Sequence, residues 1–135
     1  MALSATARSA EDAAASVGCA LGAIVKSLVF LADGRPVMAL VAGDRRCDTD
    51  ALATTLGRHQ VRRADADAVR EATGFSIGGV APLAHPAPLP MVIDASLGRF
   101  QRVYAAAGHP HCVFPTTMSE LARITGGTVA EGIGV

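Results

Sequence analysis

Tryptophan is absent from the chain, and its aromatic residues amount to one tyrosine and four phenylalanines. That removes most of the stacking platforms by which proteins hold single-stranded nucleic acid through its bases. Positive charge is not in excess either, because 12 basic side chains offset 12 acidic ones. No broad cationic field exists to bind a polyanion by phosphate neutralisation alone, so a nucleic-acid partner would be gripped locally and sequence-specific DNA binding is not expected. The three cysteines, Cys19, Cys47 and Cys112, are odd in number and form no Cys-x-x-Cys pair. They argue against a disulfide framework or a structural zinc site and read as packed, reduced thiols of a cytoplasmic protein. No apolar run approaches the roughly 20 residues of a membrane span, and the stretch from Met1 to Arg8 lacks the basic-then-apolar order of a secretory signal.

What the chain does have is apolar bulk: half of its 135 residues are hydrophobic, enough for one continuous core, and residues 1–135 are read as a single domain. Ser9-Ala10-Glu11-Asp12 opens a short helix that Gly18 closes. Residues 24–31 and 36–42 read as a hairpin turned at Asp33-Gly34. Asp48 caps a helix ended by Gly57, an extended piece follows at 59–63, and Asp65 caps another helix running to about Ala72. Pro82, Pro86, Pro88 and Pro90 withhold backbone donors, so residues 80–90 are expected to form an extended loop. Short strands at 91–94, 102–107 and 111–114 precede a capping box, Thr117-x-x-Glu120, that opens a last helix stopped by Gly126-Gly127. Strands and helices without regular alternation predict an α+β fold on a mixed sheet.

Two features carry chemistry. Lys26 interrupts the apolar run Ile24-Val25-Lys26-Ser27-Leu28-Val29-Phe30, and strand alternation puts it on the face of Leu28 and Phe30. A lysine there either directs its ammonium into a polar site or packs its stem and lets the head reach water. The second is Gly74-Phe75-Ser76-Ile77-Gly78-Gly79-Val80-Ala81-Pro82, followed by His85. Adjacent glycines can turn backbone N–H groups toward a ligand oxygen, or can simply allow a tight change of direction. The spacing is neither a dinucleotide-binding fingerprint nor a P-loop, so no nucleotide cofactor is expected. His109 and His111 lack a convincing third ligand, and no metal is predicted. Arg45, Arg46, Arg58, His59, Arg62 and Arg63 form a basic group that either meets an RNA stem or is a solvated face.

The Lys26 strand, the Gly-Phe-x-x-Gly-Gly-Val-x-Pro loop, Leu89-Pro90-Met91-Val92-Ile93-Asp94 and Ala105-Ala106-Ala107-Gly108 stand in one order along the chain. In that order they resemble the YbaK/prolyl-tRNA-synthetase-associated editing domain family. The resemblance implies a mixed, barrel-like sheet flanked by short helices, and a free-standing hydrolase that removes a wrongly attached small amino acid from a tRNA, tRNA(Pro) above all. It implies that Lys26 positions the aminoacyl ester and terminal nucleotide, while backbone groups of Gly78, Gly79 and Val80 serve as an oxyanion hole. Substrate contacts are expected from Ser27, Phe30, Pro82 and His85, and from Asp94, Ala106 and Gly108. Water is the expected nucleophile, helped by the substrate's own ribose hydroxyl, with no cofactor. The partners implied are the 3′ end of an aminoacyl-tRNA and, in addition, an aminoacyl-tRNA synthetase. Relatives carry a longer N-terminus, and some have Ser-Gly-Gly where this chain has Ala106-Ala107-Gly108. A non-catalytic module that binds tRNA ends or a synthetase is the alternative reading.

Overall fold

The computed structural model describes residues 10–73, 89–106 and 113–135. Helix α1 (Ala10–Val17) ends where Gly18 takes a left-handed φ of 80°. After a short 3-10 turn come strands β1 (Val25–Ala32) and β2 (Arg35–Ala42), paired antiparallel in an unbroken register from Val25↔Ala42 to Ala32↔Arg35. Asp33 and Gly34, with φ of 51° and 81°, form the two-residue turn whose double left-handed backbone matches strand twist. Helix α2 (Thr49–Leu56) is capped by Asp48, whose carboxylate accepts from the Asp50 and Ala51 N–H groups, and stops at a left-handed Gly57. Strand β3 (Val61–Arg63), helix α3 (Ala66–Thr73), strands β4 (Met91–Asp94), β5 (Val103–Ala106) and β6 (Val113–Thr116), helix α4 (Met118–Thr125) and strand β7 (Thr128–Ala130) complete the order.

Five strands make a mixed sheet in the order β3-β1-β2-β4-β7, antiparallel across β1 and parallel where β4 meets β2 and β7. Strands β5 and β6 form a separate antiparallel pair, joined to the first sheet by a parallel bridge from Ile24 to Tyr104. One face of the large sheet, with Val25, Val29, Met38 and Leu40, packs on Val103 and Ala105 of β5 and on Leu121 of α4. The other, with Phe30, Val37, Ala39 and Val41, packs on Leu52 of α2 and on Ile133. The α+β reading holds. Strand β7 is an addition to the elements read from sequence: it follows Gly126-Gly127 at once, and its three residues have two exposed members, too short a pattern to stand out. Thr117 caps α4 by accepting from the Glu120 N–H at 3.0 Å, while the Glu120 carboxylate is taken up by Arg123.

Candidate functional site

Alternation along β1 sends Lys26, Leu28 and Phe30 to the α2 side of the sheet and Ser27, Val29 and Leu31 to the β5 side. Lys26 and Ser27, neighbours in sequence, therefore open onto opposite layers. The Ser27 hydroxyl is buried and finds no hydrogen-bond partner among the described residues. An unsatisfied buried hydroxyl costs about 1–3 kcal/mol, a cost that the Thr116 hydroxyl shares.

Lys26 is half-buried, and its ammonium donates to the Arg45 carbonyl. No carboxylate stands within ion-pair distance of it among the described residues. Burial is the main cause that lowers its pKa; Glu11 then pulls it up, Arg63 down, Asp44 up and Arg46 down. One carbonyl engages one of three ammonium donors, which leaves capacity for an anionic or carbonyl oxygen.

The turn that offers this carbonyl is pinned on several sides. The Arg45 N–H donates to the Ala42 carbonyl at 2.9 Å, and the Gly43 N–H to the Ile24 carbonyl at 2.8 Å. A methyl group at Gly43 would collide with the Leu21 carbonyl, so the close approach of these backbones requires glycine. Asp44 receives both terminal nitrogens of Arg99, at 3.1 and 2.8 Å. Arg46 exchanges two backbone hydrogen bonds of 2.8 Å with Val135.

Asp94 is 1% exposed and its carboxylate is fully engaged, accepting from the Ala42 N–H at 3.1 Å, the Ser96 N–H at 2.9 Å and the Ser96 hydroxyl at 2.6 Å. It caps the 3-10 turn after β4 and at the same time fixes the end of β2, from which the Lys26-holding turn departs. Phe30 is 1% exposed and lies under the Arg63 guanidinium, 5.6 Å from its ring centre. Ala106 ends β5, and the Ile24–Tyr104 bridge brings that end beside the start of β1. Gly78, Gly79, Val80, Pro82, His85 and Gly108, together with Cys112, His109 and His111, lie outside the described residues.

The anchoring turn is an addition to the features read from sequence. Its contacts join residues 19 to 89 positions apart, and only the Gly-Asp that ends an apolar run hints at a turn there.

Residues 4–124 match the aminoacyl-tRNA editing domain. The chain belongs to that family. A solved structure described as a "putative trans-editing enzyme for prolyl tRNA synthetase" superposes with a TM-score of 0.92 at 41% identity, covering 97% of this chain and 83% of that one. The editing domain is also 35% identical over 116 residues to YwhH of Bacillus subtilis (strain 168), an uncharacterized protein, covering 85% of this chain and 73% of that one. Proline--tRNA ligase of Geobacter sp. (strain M21) is 38% identical over 90 residues, which are 67% of this chain and 16% of the ligase. In the editing domain the matched span contains Lys26, the glycine loop, Asp94 and Ala106.

Proposed function

We propose that this chain hydrolyses, in trans, the ester that joins a wrongly attached small amino acid to the 3′ end of a tRNA, with tRNA(Pro) as the carrier. The observation that carries the proposal is the partly buried Lys26 ammonium, held on a rigid turn by a backbone carbonyl and lacking a carboxylate partner among the described residues. A charge set in such a place is costly to desolvate and is explained by an anionic or developing-anion ligand. In this reading Lys26 orients the terminal nucleotide or polarises the ester carbonyl. Water adds to the carbonyl carbon, the oxyanion leans on the backbone N–H groups of Gly78, Gly79 and Val80, and the bond to the ribose oxygen breaks. The ribose oxygen takes up a proton, which gives a free amino acid and an uncharged tRNA. Asp94 acts as a positioning residue through Ala42.

The test is deacylation of tRNAs charged with Ala, Ser, Cys and Pro by the protein and by its Lys26→Ala variant at equal folded concentration. The expected result is hydrolysis of at least one mischarged species, reduced about 100-fold or more in the variant, as for loss of one electrostatic transition-state contact. Release no faster than in buffer would remove hydrolysis and leave the binding-module reading.

A further inference from the structure

The basic group read from sequence is not one patch, because strand register divides it. Arg62 lies opposite Leu31 and shares its side of the sheet, toward β5. Arg58 and His59 lie between α2 and β3, beside the tip of the β1–β2 hairpin, where the His59 N–H donates to the Asp33 carboxylate and Asp33 feels the Arg58 charge. Arg45 turns a guanidinium nitrogen to the Gly134 carbonyl. Arg63 alone in β3 lies opposite Phe30, on the face of Lys26, and its guanidinium stacks over the Phe30 ring. Arg46 is exposed directly after the residue whose carbonyl holds Lys26. Leu28, half-buried on the same face, lies between Lys26 and Phe30.

We propose that Arg46 and Arg63 form, together with Lys26, a phosphate track along this face that receives the RNA strand leading into the site. The proposal rests on the editing reading for the identity of the RNA. Neither arginine has a carboxylate within ion-pair distance among the described residues. A guanidinium can grip phosphate oxygens with two parallel donors. Stacking on Phe30 removes part of the rotational freedom that Arg63 would otherwise lose on binding. Arg63 stands four residues along β1 from Lys26, about 13 Å at the rise of a strand, which is room for a short stretch of backbone. Leu28 supplies an apolar floor between the cations. A local track of this kind is how a chain with no net charge can hold a polyanion.

The test is fluorescence anisotropy of labelled, uncharged tRNA titrated with the protein at several KCl concentrations. The Arg46→Gln/Arg63→Gln double variant keeps the side-chain stems. Arg62→Gln, on the same strand but the opposite face, is the comparator, and thermal unfolding verifies that each variant is folded. The double variant should bind about 10-fold more weakly or worse, with the slope of log affinity against log salt reduced by about 1.5–2, while Arg62→Gln stays within about twofold of the parent. Unchanged affinity and slope in the double variant, an equal loss in Arg62→Gln, or no salt-dependent binding by the parent would overturn the track. Deacylation measured in parallel separates the two readings. Hydrolysis by the parent with intact binding in the double variant sinks the track alone. Arginine-dependent binding without hydrolysis sinks the hydrolase alone.

Discussion

At the scale of single residues, the molecule sets cost against use at Lys26. Burial lowers its pKa, so the ammonium discharges at a lower pH than that of an ordinary lysine. Two opposite trends follow. In the proposed reading the charged form holds the ligand, so affinity for uncharged tRNA should fall as pH rises through the lowered value. Folding stability should rise across the window between the folded and unfolded values, because there the unfolded chain keeps a proton that the folded chain has released. A pH series of anisotropy and of chemical denaturation checks both signs. Lys26→Met should lose deacylation while leaving stability within about 0.5 kcal/mol or improving it. Cys47 gives a second residue-scale prediction. Burial, helped by Asp48 and Asp94, pushes its thiol up to about 11. At pH 8 it is then almost wholly protonated, and its alkylation by iodoacetamide should be far slower than in the denatured chain.

At the scale of elements, much was legible because the signals are local. Asp33-Gly34, Asp48 with Gly57, and Thr117 with Gly126 each state a turn or a helix end within a few residues, and each takes the backbone geometry such residues favour. Replacing the Asp48 cap by alanine should cost about 1 kcal/mol in urea denaturation. Leu52→Ala, which empties the centre of the α2 contact, should cost about 2–5 kcal/mol, while Ile124→Ala on the 38% exposed side of α4 should stay within about 0.5 kcal/mol. What stayed hidden is set by register. Alternation alone parts Arg62 from Arg63, but which of them shares the Lys26 face follows only from the pairing of β3 with β1, with Arg63 opposite Phe30. That Lys26 and Ser27 face opposite ways was legible from strand alternation, but which layer covers each face was not. The role of Asp94 was half legible, since a strand-ending aspartate that ties down a turn is a local reading. That the same carboxylate also takes the Ala42 N–H, 52 residues away, depends on the parallel β2–β4 pairing, which no local pattern encodes.

At the scale of the whole molecule, the last residues are tied to the turn that serves Lys26. Ile133 is fully buried in the α2-side core, the Asp48 N–H donates to its carbonyl at 2.7 Å, and Val135 pairs with Arg46. The Gly134 backbone lies so close to the Asp94 carboxylate that a methyl group would overlap it. Gly134→Ala should therefore destabilise the fold by about 1–3 kcal/mol and, by loosening the 42–46 turn, weaken tRNA binding beyond the loss expected from its unfolded fraction. Denaturation and anisotropy on one preparation separate the two effects. The same ties have a consequence for the order of events during synthesis. The β1–β2 hairpin is local and can close as soon as it leaves the ribosome, whereas β4 and β7 join the sheet from far along the chain. A nascent chain thus exposes its lysine strand long before residues 128–135 arrive to brace the turn beside it. A ribosome stalled before residues 128–135 emerge would carry a hairpin that looks native around a lysine whose anchoring turn is not yet braced.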